Sequence, residues 1–245
     1  MKTGTLIYII AMGWTVIIYG GITYLFSKKQ DHTLLSGFSN RPKEEKEYLR
    51  QSGYLDALNK LFVTTFWLLF VAFILGLLPI SFAFEISLAI FILVLMVGLV
   101  WIQRYEVPHK RKKKLWLFGA FSTVTIIFII VITGIGYIDN DIKIEDETFT
   151  ITGMYGVEWD IADIETIELM NTLPEVNFRT NGFATAGILK GNFNLEPPYG
   201  NGLLFIQKNS APYLYIETKE NYMILNRKDP KETTEIYNEL LKMMG

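Results

Sequence analysis

The chain contains no cysteine, and its only histidines are His32 and His109. Without a thiol there can be no disulfide, thiolate nucleophile, iron–sulfur cluster or cysteine-ligated zinc. The two histidines lie far apart, each beside basic or polar residues, so neither a histidine metal centre nor a His-dependent catalytic triad is expected. Glycine is plentiful, yet no Gly-rich loop runs into Lys-Ser or Lys-Thr, and no G-x-G-x-x-G opens a helix after a strand. The backbone cradles that hold nucleotide phosphates are therefore missing. The carboxylate pairs Asp160/Asp163 and Glu165/Glu168 have no helper residue and read as solvated charges. Together these gaps point away from an enzyme: no catalytic residue, cofactor or metal is expected.

Charge is the other thing lacking. The segments 5–26, 61–78, 86–103 and 115–137 hold no Asp, Glu, Lys, Arg or His, in a chain of 245 residues that is 50% hydrophobic. A helix rises about 1.5 Å per residue, so each segment is near the length needed to cross a hydrocarbon core of about 30 Å. Residues 61–103 cannot be one helix of that kind. Gly76, Pro79 and Glu85 break them into two helices joined by a tight turn, which satisfies backbone hydrogen bonding and bilayer thickness together. The first segment also admits reading as a secretory signal, but it is long for one and lacks a small-x-small cleavage site. The expected fold class is a bundle of four transmembrane helices, over residues 1–137, followed by a soluble, mainly β domain over 139–245. Ionisable groups are absent from the span interiors, where pumps and secondary transporters place them. Gly13, Gly20 and Gly21 with Thr15 and Thr23 suit close helix packing instead, within the chain or with a partner.

The connections are charged unevenly. The first carries Lys28, Lys29, Arg41, Lys43, Lys46, Arg50 and Lys60, and the third carries Arg104, Lys110, Arg111, Lys112, Lys113 and Lys114. The turn between the second and third spans has only Glu85. Because basic residues near span ends are retained on the cytoplasmic side, the third and first connections are expected there, with the C-terminal domain extracytoplasmic in a cell-membrane, multi-pass protein. The run His109 to Lys114 admits a phosphoinositide or nucleic-acid patch, but its position against the fourth span favours a topology anchor. Pro42 is placed to start a short charged helix that Gly53 ends. Leu55, Leu58 and Leu61 then form an amphipathic lead-in at the interface.

From Ile142 the hydrophobic period becomes two. Ile142/Ile144, Phe149/Ile151 and Tyr155/Val157/Trp159 alternate with polar residues, and strands follow at Ile164–Met170, Leu203–Gln207, Tyr213–Glu217 and Tyr222–Asn226. Asp229 as N-cap, Pro230 in the first turn and Glu232 announce a final helix. Its apolar stripe is Ile236, Tyr237, Leu240, Leu241 and Met244. From Asp139 onward 18 Asp and Glu oppose 9 Lys and Arg, a net of 9 − 18 = −9. That sign opposes a nucleic-acid partner. Antiparallel strands closed by one helix is the element order of a pleckstrin-homology-like barrel.

Tyr155-Gly156, Leu173-Pro174, Arg179-Thr180-Asn181-Gly182, Gly191-Asn192-Phe193, Pro212-Tyr213, Tyr215-Ile216 and Asn226 before a Thr-containing final helix resemble bacterial PH-type domains. Ser36-Gly37-Phe38-Ser39 with Lys43-Glu44-Glu45-Lys46 is similar to a small, uncharacterised membrane domain found beside such modules. The resemblance implies a barrel and membrane association, and no catalytic residue. Residues 178–202, with five glycines and Pro197-Pro198, are expected to be loop-rich. Within them Arg179, Asn181, Asn192 and Tyr199 form a candidate recognition loop for a peptide, a glycan or another membrane subunit, against the simpler reading of turns that close a barrel. Two functions remain open. One is a non-enzymatic membrane protein presenting its C-terminal domain for binding, and the other is a regulatory or immunity-type subunit acting through its spans. The expected partners are the lipid bilayer and a protein or second copy of the chain.

Since the natural chain offers no thiol, single cysteines at Ser81, Ser36 and Ser210 test the orientation in intact cells with a membrane-impermeant thiol reagent. Positions 81 and 210 should label and position 36 should be protected. The reverse pattern would put the C-terminal domain in the cytoplasm.

Overall fold

A computed structural model describes residues 3–28, 38, 40–207 and 210–244. The side chain of Lys28, all of Lys2, Lys29 and His32, and Ser36, Gly37 and Ser39 of the motif after the first span lie outside the described residues. The chain divides into two compact units, Tyr8–Val131 and Ile132–Gly245 with Met1–Ile7.

The first unit is helical: α1 (Thr3–Lys28), α2 (Lys43–Gln51), α3 (Tyr54–Leu75), α4 (Ala83–Ile102) and α5 (Pro108–Tyr137). Four of these, all but α2, are long and apolar enough to cross a membrane, the pattern of a multi-pass membrane protein. Their outward surfaces carry Trp14, Ile17, Trp67, Trp116, Phe128 and Ile130, each more than half exposed, which water would not tolerate on this scale and lipid does. Antiparallel contacts tie α1 to α3. Tyr8 donates to Phe73 O at 3.1 Å, and Tyr19 and Thr65 share a 2.7 Å hydrogen bond. Where Gly20 passes α3, a Cβ would lie 2.8 Å from the Phe66 ring and force it to shift, so the glycine suits that approach.

The spans differ from their expected bounds mainly at the basic ends. Helix α5 begins at Pro108, not 115, because Pro suits a first helical turn and lysines are good helix formers. Helix α3 begins at Tyr54, since Gly53 takes φ +83°, the left-handed conformation that lets α2 end and α3 start within two residues. The expected interfacial lead-in is thus the first part of a span. Leu58 and Leu61 are buried with Phe26, Ala57 and Ile102.

Among its described residues the second unit contains nine strands and a final helix. Strands β1 (Ile142–Glu145), β2 (Thr148–Ile151) and β3 (Val157–Asp160) form an antiparallel three-stranded sheet. The β1–β2 hairpin turns through Asp146 and Glu147, both with φ near +50° to +70°, the sign pattern of a primed two-residue turn. Strands β4 (Ile164–Met170), β5 (Val176–Ala184), β6 (Ile188–Leu195), β7 (Gly200–Gln207), β8 (Tyr213–Thr218) and β9 (Tyr222–Leu225) form the second sheet, in the order β4-β8-β9-β7-β6-β5.

Two features depart from an antiparallel barrel. The strands make two sheets instead of one closed wall, and β9 lies parallel to β7, with Leu204 opposite Ile224. The β8–β9 hairpin brings β9 back between β8 and β7, and that insertion fixes the parallel pair. Residues 178–202, expected as loops, are mostly strand: β5, β6 and the start of β7 pair as antiparallel ladders, with register slips between β5 and β6. Gly182, Gly191 and Gly202 serve close packing. At Gly182 a Cβ would lie 2.4 Å from Lys190 O, and at Gly202 it would lie 2.2 Å from the Tyr222 ring.

The core between the sheets holds Phe149, Ile151, Phe205, Leu214, Ile216, Met223, Leu225 and Leu240. Helix α6 (Pro230–Met244) starts as expected, with Asp229 Oδ1 accepting from Lys231 N at 2.9 Å. Its buried stripe is narrower than expected. Thr233 and Leu240 are buried and Ile236 and Tyr237 partly so, whereas Leu241 and Met244 are exposed. The Thr233 hydroxyl completes the seam by accepting from Arg227 N at 2.8 Å.

Leu240 has no solvent exposure, and truncating a buried leucine costs about 2–5 kcal/mol. Leu240→Ala should therefore lower the thermal midpoint of the β unit, followed by near-ultraviolet circular dichroism, whereas Leu241→Ala should leave it close to that of the parent chain. Equal midpoints for Leu240→Ala and the parent would show that α6 does not close the core.

Candidate functional site

Two places concentrate polar side chains. The first lies in the helical unit, where the segment before α2, α2 itself and the start of α5 meet. Pro42 starts α2, and the single 3₁₀ turn Gln103–Tyr105 carries the chain from α4 to α5. These short elements pack Phe38, Leu49 and Val107 into a small apolar cluster. The cluster positions Glu106, whose side chain is 1% exposed, opposite Arg41, at 14%.

The pair is bidentate, with Arg41 donating to both Glu106 oxygens at 2.7 and 2.8 Å. That is the fork-to-fork geometry in which guanidinium and carboxylate match best. Glu106 Oε1 also accepts from Val107 N at 2.9 Å, and Arg111 Nε donates to Glu106 O at 3.2 Å. A second carboxylate extends the network. Glu45 accepts from Lys110 at 2.6 and 2.8 Å and lies 3.4 Å from both Arg41 and His109. Arg111 turns aside to the Tyr48 hydroxyl at 3.2 Å, and Ser52 donates to Tyr105 O at 2.9 Å.

Burial opposes ionisation of Glu106, but the Arg41 guanidinium and the Val107 N–H outweigh it and hold the carboxyl below the usual carboxylate range. The hydrogen bond from Lys110 does the same for Glu45. Beside this network opens a cleft of about 410 Å³ lined by Asn40, Arg41, Pro42, Lys110, Lys113, Lys114 and Leu117.

The second place is the β5–β6–β7 hairpin. Three of the four residues expected in a recognition loop come together there, though on strands. Asn181 is paired with Asn192 across β5 and β6, and Arg179 is opposite Phe193. The register slips between Arg179 and Asn181, and Thr180, the extra residue, donates to Asn192 O at 3.0 Å. Tyr199 is elsewhere: it packs against Tyr215 and Tyr222, ring centroids 6.1 and 6.0 Å away. Burial pushes the Tyr215 and Tyr222 hydroxyls up to about 12, with the Glu217 charge adding at Tyr215. These rings remain neutral at physiological pH and act as packing.

Sequence reasoning missed the asparagines that join the three strands. Asn177 donates to Asn194 at 3.1 Å and Asn194 to Asn201 at 2.8 Å. The alternation Asn192-x-Asn194 on a strand, with side chains on one face, was the available signal. Strand β5 is an edge of its sheet, and Phe178, Arg179, Thr180 and Asn181 are all exposed on it.

The start of this unit is held by buried polar groups. Lys190, itself buried, donates to Ile138 O, Arg227 donates to Asn140 O at 2.8 Å, and Gln207 donates to Asp139 at 3.1 Å. Burial lowers the Lys190 pKa, while the Asp139 carboxylate opposes the shift. Among the described residues, no group of three or more His, Asp or Glu side chains is placed to hold a metal ion.

Residues 8–106 fit a family model described as "Domain of unknown function (DUF3784)". The matched stretch runs through α1 to α4 and closes on Glu106, so it contains both halves of the Arg41–Glu106 pair. Helix α5 and the β unit lie beyond it. No curated protein and no solved structure matches the chain.

Breaking a buried ion pair from one side leaves an uncompensated charge and costs about 3–5 kcal/mol. Glu106→Ala should therefore destabilise the detergent-solubilised chain markedly, and Lys112→Ala, on an exposed side chain, should not. The pH dependence follows from the depressed Glu106 pKa. Its stabilisation is complete above the unfolded carboxylate value and is lost as pH falls through the lower folded value. Melting temperature should drop on that acid limb, and Glu106→Gln should flatten the drop. An unchanged acid limb in Glu106→Gln would remove Glu106 as its origin.

Proposed function

We propose that the chain is a non-enzymatic membrane protein whose four spans anchor a PH-like β domain that binds protein, on the extracytoplasmic side of the cell membrane. The observation that carries the reading is the β5 edge. It is a nine-residue strand with four consecutive exposed residues, one of them a phenylalanine at 37% exposure. Its ends are covered, by Gly4 at Asn177 and by Tyr137 at Phe183, and the exposed stretch between them is a short template for an added strand. Two register slips, at Val176/Phe178 and Arg179/Asn181, shape it. Such bulges discourage indiscriminate pairing, so only a segment that fits the bent edge is accepted. The asparagine face beside it offers both donors and acceptors to an incoming peptide.

Support for the non-enzymatic part comes from the neutral tyrosines and the polar groups already engaged within the fold. Support for sidedness comes from the two basic connections, which meet at the Arg41–Glu106 pair and so belong at one end of the helical unit. A PH-like identity for the β unit rests on its strand-rich body and single closing helix, with two sheets where the family closes a barrel.

Photo-crosslinking in cells tests the edge. A benzophenone amino acid at position 179 or 181 should give a discrete adduct with another protein, and one at Glu235, on the exposed face of α6, should not. A crosslinked dimer would make the occupant a second copy of the chain. Adducts at 235 without any at 179 or 181 would overturn the assignment of the edge.

A further inference from the structure

We propose that the cleft between residues 40–42 and the first turns of α5 is a headgroup site for an anionic phospholipid, with Lys113 and Lys114 on the phosphate and Leu117 against the start of an acyl chain. The argument begins with spacing. Lys110, Lys113, Lys114 and Leu117 line the cleft, and their intervals of three, one and three residues put them on one face of a helix. Along that face the chemistry changes from ammonium to hydrocarbon within about 6 Å of helix rise, from Lys113 to Leu117. A phospholipid changes in the same order, from phosphate to glycerol to acyl chain. The helix then continues as an uncharged span to Tyr137, so the leucine lies where the hydrocarbon begins.

The charges in the cleft are divided between structure and ligand. Arg41 and Lys110 are matched by Glu106 and Glu45 in the network already described, a set with zero net charge. Among the described residues neither Lys113 nor Lys114 donates to a carboxylate, and both border the open volume. Lys114 is half-buried and Lys113 exposed. The cleft therefore presents two positive charges, neither hydrogen-bonded to a carboxylate among the described residues, with Lys114 also lying in the field of Glu106. Its opposite wall is pre-formed, because the bidentate pair fixes Arg41 and Pro42 begins α2. About 410 Å³ is open beside it. A free phosphate would use the lysines and leave Leu117 idle. The apolar wall is what selects a lipid.

The test uses the full chain, purified in detergent and supplied with phosphatidylglycerol, phosphatidylcholine or inorganic phosphate. Bound lipid is read by native mass spectrometry, and thermal stability is measured in parallel. The parent chain should retain phosphatidylglycerol in preference to phosphatidylcholine. The double substitution Lys113→Gln/Lys114→Gln should reduce that retention about 25-fold, given that each lysine near an anionic surface contributes on the order of a fivefold effect. Lys112→Gln, outside the cleft, should change it little, and Leu117→Asn should weaken lipid retention with all lysines intact. Equal retention of the two lipids, or equal loss in Lys112→Gln, would reduce the cleft to a diffuse basic surface and overturn the proposal. Stabilisation by inorganic phosphate as strong as that by phosphatidylglycerol would overturn the lipid assignment.

Discussion

A polar group left unpaired in hydrocarbon costs several kcal/mol, and this penalty arranges most of the helical unit. It confines charge to the ends of the spans and their connections and turns several span hydroxyls onto backbone carbonyls. Thr15, Thr23 and Thr65 donate to the carbonyls of Ala11, Tyr19 and Leu61 four residues back, and Ser122 reaches Met96 on the neighbouring helix. The spans thus hold little that could recognise anything. Specific polar chemistry is forced to the connections, where Arg41, Glu45, Glu106 and Lys110 face one another. There it does two jobs that hydrocarbon cannot do. It joins segments separated by 65 residues, and it fixes their register by the geometry of a fork.

The β unit solves a related problem at its entrance. Residues 138–140 leave a helix and enter a sheet, and the carbonyls of Ile138 and Asn140 would be stranded without donors. Lys190 and Arg227 supply them from far along the chain, Gln207 donates to the Asp139 side chain, and the Asn140 side chain donates to Met154 O at 3.0 Å. A buried lysine is an expensive donor because burial favours its neutral form. Its use here shows how strongly this segment must be held. In both units a few long side chains tie distant segments, and the apolar cores beside them supply the bulk of the stability.

What could be read from sequence follows the range of each interaction. Span positions were legible because hydropathy is a property of consecutive residues, and the errors sit at ends such as Pro108, where charge and helix propensity disagree. Strands β1 to β4 were legible from alternation, and the α6 start from Asp229 and Pro230. The segment from Phe178 to Gly202 misled because glycine signals both turns and close packing, and only the neighbours of Gly182 and Gly202 decide between them. Parallel pairing of β9 with β7 is long-range and left no local trace. The same holds for Arg41 and Glu106: each looked like one charge among many in a solvated connection. Arg179, Asn181 and Asn192 were found as neighbours although their loop proved to be a hairpin. Tyr199 was misplaced because its partners, Tyr215 and Tyr222, come from β8 and β9.

The run from His109 to Lys114 shows why an anchor and a ligand site need not exclude each other. Retention of basic residues on one side of a membrane depends on their number near a span end, and any arrangement around the helix serves. Binding depends on arrangement. Six consecutive residues cover every direction around a helix, so the run must distribute its charges among different neighbours. His109 and Lys110 face Glu45, Arg111 faces Tyr48 and the Glu106 carbonyl, and Lys113 and Lys114 face the cleft. Glu45 neutralises part of the run and thereby converts a uniform patch into one with direction. The acidic residues of these connections, which weaken the topology signal little, are therefore what gives the basic residues their separate roles.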